Sequence, residues 1–252
     1  VISPEEQSLS GVEFNSLGDD SVEVKVGEEV FNKPGTYTLK VTYGDEVVEQ
    51  SFVWGILAIN MNKSIYTTGE QVHLQMAALR EDGHTICDAD LALQITSPSE
   101  EIEDILVKRS GQCDGNNVTS VPDYSSYFAA REVGTYDVKL TNMDNGHHRT
   151  DRFEVVEDRP YDIERSGPTR IYPLAEYDMR IRVTSKQEFK GSLTEIVPEG
   201  FKITEISSDG WINPKGNIQW DVDLKAFESI DLLYRFDAPD TSPYLYKAGP
   251  LT

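Results

Sequence analysis

GTYTLKVTYGDEVVEQSFVW (Gly35–Trp54) and GTYDVKLTNMDNGHHRTDRFEVV (Gly134–Val156) are two copies of one pattern, offset by 134 − 35 = 99 residues. In each, Gly-Thr-Tyr opens a run in which apolar and polar residues alternate. The apolar set is Tyr37, Leu39, Val41 and Tyr43 in the first copy, and Tyr136, Val138 and Leu140 in the second. A period of two places successive side chains on opposite faces of a strand, one face apolar and one polar. A turn signal follows, YGDE or NMDNG, and a further strand-like run leads out. Each copy reads as a closing β-hairpin. The offset is about the length of one immunoglobulin-like domain, ~100 residues.

The alternation spreads outward from these copies. It recurs at Val22, Val24 and Val26, at Val72, Leu74 and Met76, and at Leu91, Leu93 and Ile95. Later it returns at Met179, Ile181 and Val183, at Ile218, Trp220, Val222 and Leu224, and at Ile230, Leu232 and Tyr234. Turn signals such as NKPG, EDGH, PEG and NPKGN separate the runs, which favours antiparallel strands over βαβ units. DLKAFESIDLL is the best helix candidate, but its Ile230 and Leu232 continue the period of two. The expected fold is all-β, with tandem immunoglobulin-like β-sandwiches in an elongated array. The expected units are 1–55, 56–157 and 158–240, with 241–252 beginning a following segment. The first is too short for a complete sandwich: either its missing strands precede this sequence, which is favoured, or another chain completes the sheet.

Composition narrows the setting. The 252 residues carry a formal net charge of −21, and only 38% are hydrophobic. Nucleic acid and anionic membranes attract basic surfaces, so neither is an expected partner. No apolar run reaches the ~18 residues of a membrane span. The two cysteines, Cys87 and Cys113, lie in polar loop-like settings, TICDAD and GQCDGN. Two free cytosolic thiols are one reading. A disulfide is favoured, because both fall in one expected unit. It would close a loop of about 25 residues, stabilise by ~3 kcal/mol in the chain-entropy model, and imply an oxidising compartment.

Two resemblances refine the units. Tyr66, Gly69 and Val72, then a polar turn at Asp82–Gly83, then Leu91, Leu93 and Ile95, and finally Gly134 and Tyr136 resemble a macroglobulin-type immunoglobulin-like domain. Thr67–Thr68 departs from that family's common Lys-Pro, and no Cys-Gly-Glu-Gln thioester is present. The third unit is similar to the repeat of bacterial and archaeal surface proteins often called DUF11. The residues concerned are Thr194, Glu195, Pro198, Gly200, Phe201, Trp220, Glu228 and Ser229, with Glu195 in place of the commoner Asp and Phe227 where Gly is usual. These resemblances imply a surface protein of bacteria built for presentation, adhesion or envelope architecture.

Reactive constellations are scarce. Gly-x-Ser-x-Gly and His-Glu-x-x-His are absent, and no catalytic residue is assigned. His147–His148, with Asp144 and Asp151, reads as a solvated hairpin turn rather than a metal site. Asp82, Asp88, Asp90 and Asp114 are candidate calcium ligands, since calcium takes hard oxygen donors, against a plain charged loop as the alternative. Trp211 is the candidate ligand-facing aromatic, whereas Trp220 alternates with core residues. Asn62–Lys–Ser64 and Asn117–Val–Thr119 are glycosylation sequons.

The leading functional expectation is a non-catalytic structural or adhesive stalk, extracellular or on the cell surface. Its partners would be other domains of the same long chain or other surface proteins, and self-assembly fits. The alternatives are a sugar- or calcium-binding adhesion module and the accessory domains of a large secreted enzyme. No cofactor beyond that calcium is expected.

Overall fold

The structure is a computed structural model that describes residues 2–3, 8, 12–18, 21–26, 33–43, 46–80, 82–114, 121–172, 174–207, 209–241, 246 and 248–252. Its regular elements there are all strands, so the chain is all-β.

Four strands form the first unit as two antiparallel hairpins. They are β1 (Val12–Gly18) with β2 (Ser21–Val26), and β3 (Gly35–Tyr43) with β4 (Glu46–Trp54). Ile2 bridges to Thr38 through paired backbone hydrogen bonds of 2.8 and 3.0 Å.

The middle unit is a two-sheet sandwich. Its strands are β5 (Leu57–Met61), β6 (Ile65–Thr67), β7 (Gln71–Ala78), β8 (Leu91–Thr96), β9 (Ile102–Ile105), β10 (Lys108–Arg109), β11 (Tyr124–Ala129), β12 (Gly134–Asn142) and β13 (His148–Val156). One sheet runs β10-β11-β7-β5 and the other β6-β13-β12-β8-β9. Between them lie Tyr66, Val72, Leu74, Leu93, Ile95, Tyr136, Val138, Leu140 and Phe153, nearly all without exposed surface. Each such side chain stabilises by roughly 1.5–3 kcal/mol through burial. Phe153 stacks on Tyr136 at 4.9 Å and meets Tyr66 edge-on at 5.4 Å.

The repeated Gly-Thr-Tyr has one physical role in both copies. Gly35 and Gly134 adopt φ of 141° and 136°, where a side chain is disfavoured. A Cβ on Gly134 would also sit 2.8 Å from Pro98. Two residues on, the tyrosine is buried and its hydroxyl meets the backbone just upstream. Tyr37 Oη donates to the Lys33 carbonyl at 2.8 Å, and Tyr136 Oη accepts from the Glu132 amide at 2.9 Å.

One pairing departs from the antiparallel expectation. After β5 the chain turns and changes sheets, so short β6 runs parallel to β13, with Tyr66 opposite Val155. Alternation reports which face is buried, not which neighbour supplies the hydrogen bonds.

The third unit has the strands β14 (Tyr161–Ser166), β15 (Glu176–Ser185), β16 (Phe189–Glu195), β17 (Lys202–Ile206), β18 (Trp211–Ile212), β19 (Ile218–Leu224) and β20 (Ser229–Asp237). Its sheets are β14-β15-β20-β17 and β16-β19-β18. Trp220 is fully buried, and its indole N–H donates to the Ser207 carbonyl at 2.9 Å. Glu195 is also fully buried; it accepts from Arg165 Nη2 at 2.6 Å and from the Tyr234 hydroxyl at 3.2 Å. Burial pushes its carboxyl above the usual range, against the pull of Arg165. Residues 248–252 return onto this unit: Ala248 and Leu251 pack on its core, and Thr252 exchanges backbone hydrogen bonds with Thr194. Phe227 adopts φ 66° and is exposed, the left-handed region that glycine tolerates best.

Candidate functional site

The connection from β13 to β14 is only Glu157–Asp158–Arg159–Pro160. Such a short, proline-containing link holds the two units close, and their charges meet across it. Lys63, before β6, and Glu70, after the Gly69 turn, come from the middle unit; Arg159 and Asp162 come from the link and β14. Lys63 Nζ donates to Glu70 and, at 2.8 Å, to Asp162 Oδ2. Arg159 Nη2 donates to Glu70 Oε2 at 2.9 Å and to Asp162 Oδ1 at 2.7 Å, while its Nη1 donates to the Ile65 carbonyl. Each cation therefore binds both carboxylates. The side chains of Lys63 and Arg159 keep only 9% exposure.

The electrostatics follow from the geometry. Burial pushes the Lys63 ammonium down, but hydrogen bonds and charge from Asp162 and Glu70 outweigh it, so its pKa lies above the usual value. Burial likewise pushes the Glu70 carboxyl up, yet Lys63, the Thr67 amide and Arg159 hold it below the usual range. Beside this cluster the Arg165 amide donates to the Asn62 carbonyl at 3.2 Å, and Asn62 Nδ2 donates to Glu164 at 3.2 Å.

A second seam lies at the disulfide loop. Cys87 and Cys113 are joined by an S–S bond of 2.05 Å. Arg170 of the third unit donates from Nη1 to Thr85 and to the Asp114 carbonyl, both beside the bridge. Its Nη2 lies 3.3 Å from Asp123 Oδ1, a carboxylate only 3% exposed. Burial raises the Asp123 carboxyl, and the Arg170 charge opposes this. A nearly buried carboxylate in one unit thus takes its counter-charge from the next. The chemistry of this junction is positional: it fixes two sandwiches against each other.

The first joint is different. Trp54 ends β4, and the Arg149 guanidinium lies 4.3 Å from its ring centroid. Beside them opens a cleft of about 410 Å³, bordered also by Gly55, Ile56, Leu57, His147, His148 and Thr150.

The four aspartates read as calcium ligands are not brought together. Asp82 is used by its own turn, accepting from the His84 amide at 3.0 Å, and the Asp90 amide donates to Asp144. Asp88 and Asp114 flank the two cysteines. Among the described residues no group of three or more His, Cys, Asp or Glu could hold a metal ion. Trp211 lies 40% exposed on β18, next to the exposed Ile212. The Asn117–Thr119 sequon lies outside the described residues, while the Asn62 side chain belongs to the joint. Lys63, Glu70, Arg159, Asp162, Asp123 and Arg170 were not singled out by sequence. The one signal was the brevity of the link.

No protein-family model and no curated protein matches the chain. Among solved structures it is similar to Salmonella α-2-macroglobulin reacted with methylamine, at 12% identity and TM-score 0.33, covering 76% of this chain and 14% of that one. Trypsin-activated α-2-macroglobulin from Escherichia coli is similar at 12% identity and TM-score 0.31, covering 77% and 15%. A DUF4785 family protein from Legionella pneumophila gives 10% identity and TM-score 0.28, covering 73% and 48%. The chain thus spans 14–15% of the length of these macroglobulins.

Proposed function

We propose that this chain is a non-catalytic spacer segment of a longer protein, extracellular or on the cell surface, that holds other domains at a set distance and angle. The middle–third junction carries this reading. Four charges from two units share one another as partners, and Arg170 reaches across to Asp123. Burying charge across a joint is costly unless the partners stay in place, which suits a joint of fixed angle. The disulfide fits an oxidising compartment. The partners of a spacer are the domains flanking it and other surface proteins.

Solution scattering tests this. A spacer of sandwiches in line has a radius of gyration well above the ~18 Å of a compact chain of this length. A value near ~18 Å contradicts it and points to units folded back on one another. Trp211 and Ile212, exposed together on the short edge strand β18, favour a second reading, a carbohydrate-adhesion module. Titration with a neutral oligosaccharide library separates the two, because a pure spacer binds none.

A further inference from the structure

The cleft at the first joint has a composition at odds with the rest of the molecule. The chain carries 44 Asp and Glu against 23 Lys and Arg, yet among the described residues no acidic one lines this cleft. Arg149, His147 and His148 do. Among the described residues no carboxylate pairs with Arg149; its guanidinium lies against the Trp54 ring. A guanidinium stacked on an aromatic face keeps its planar fork of N–H donors for an anion, and a carboxylate matches that fork. Gly55 and Gly146 border it as bare backbone, and both adopt φ of 74°, a conformation that glycine takes most readily. The volume of about 410 Å³ falls in the range of small-molecule sites. Ile56 and Leu57 lie beside the Trp54 indole in the lining, so the cleft offers an apolar patch flanked by polar groups, which suits a ring with both C–H faces and hydroxyls.

We propose that this cleft binds a small carboxylate-bearing saccharide, its carboxylate on Arg149 and its hydroxyls on His147, two positions earlier and so on the same side of the chain. The first unit supplies Trp54 and the middle unit supplies the donors, so a ligand here would also bridge the two.

Calorimetric titration of the 252-residue chain at low salt tests it, with glucuronate, glucose, acetate and inorganic sulfate as separate probes. Glucuronate is expected to bind at least tenfold more tightly than the other three. Arg149→Gln should weaken it at least tenfold, and Arg149→Lys, which keeps the charge but loses the fork, should fall between. Cooperative thermal melting of both variants within a few degrees of wild type shows that they fold. Equal binding of acetate or sulfate overturns the proposal in favour of a simple anion site. So does undiminished glucuronate binding by Arg149→Gln, or no binding of glucuronate at all.

Discussion

The two joints of this molecule solve one problem in opposite ways. Between the middle and third units, Lys63, Glu70, Arg159 and Asp162 alternate in sign, and Arg170 enters a socket closed by Asp123 and the disulfide loop. Between the first and middle units, the described contact is an indole against a guanidinium beside an open cleft. Directional ion pairs specify an angle, because each carboxylate must meet donors from both sides. A stacked contact specifies proximity more than angle. Among the described residues the chain thus combines a stiff joint with a yielding one, and the yielding joint has room for a ligand.

The contrast breaks most readily at the disulfide. Replacing Cys87 and Cys113 by serine should destabilise the middle unit by about 3 kcal/mol in the chain-entropy model. Because Thr85 and the Asp114 carbonyl, which hold Arg170, flank the bridged cysteines, the stiff joint should loosen with it. Calorimetry should show the middle unit melting earlier and no longer together with the third. One transition shared by both units in the double-serine variant would mean that the loop does not brace the joint.

Arg170→Gln should come next, at about 2 kcal/mol. Removing one partner of a fully buried pair costs about 3–5 kcal/mol, but Arg170 is 18% exposed and Asp123 can take up a proton. The Asp123 carboxyl is already raised by burial, so its protonated form is favoured by folding. That contribution is present below the ordinary carboxylate range and is lost as pH rises through the raised folded value. The penalty of Arg170→Gln should accordingly be full at neutral pH and shrink in acid. Adding Asp123→Asn should recover about half of it. Denaturant melts across pH 4–8 check both points.

Glu70→Gln sharpens the contrast at smaller scale, about 1 kcal/mol, since partly exposed pairs are screened by solvent. The sign is set by both partners. Glu70 is held low, so its contribution exists above its unfolded value of ~4.3 and is lost as pH falls through the lower folded value. Lys63 is held high, so its contribution exists below ~10.4 and is lost as pH rises through the higher folded value. The difference between wild type and Glu70→Gln should peak between these limits and diminish in high salt. Arg149→Gln, at the yielding joint, should change stability least, by about 0.5 kcal/mol.

Much of the fold is legible before any coordinates. The alternation from Gly35 and Gly134 marks two hairpins in which Tyr37 and Tyr136 are buried as the pattern requires. The link between Cys87 and Cys113 follows from their loop-like setting and appears as a disulfide. Phe227, out of place against a glycine in the surface-repeat resemblance, sits at positive φ. Edge strands β9 and β10 are less visible, because their side chains are largely exposed and show no alternation. The stiff joint is hidden for a different reason. Lys63 and Asp162 are 99 positions apart, and in a chain that is 27% charged nothing local separates a charge that will be buried from one that will stay in water. The candidate calcium ligands meet the same limit: Asp82 accepts from the His84 amide within its own turn, and among the described residues no group of three or more His, Cys, Asp or Glu could hold a metal ion.

Residual dipolar couplings measured unit by unit test the central contrast most directly. If the ion pairs fix the angle, couplings from strands of the middle and third units fit one alignment tensor, and those from the first unit require a different one. Separate tensors for the middle and third units, at neutral pH and low salt, would contradict a rigid charged joint.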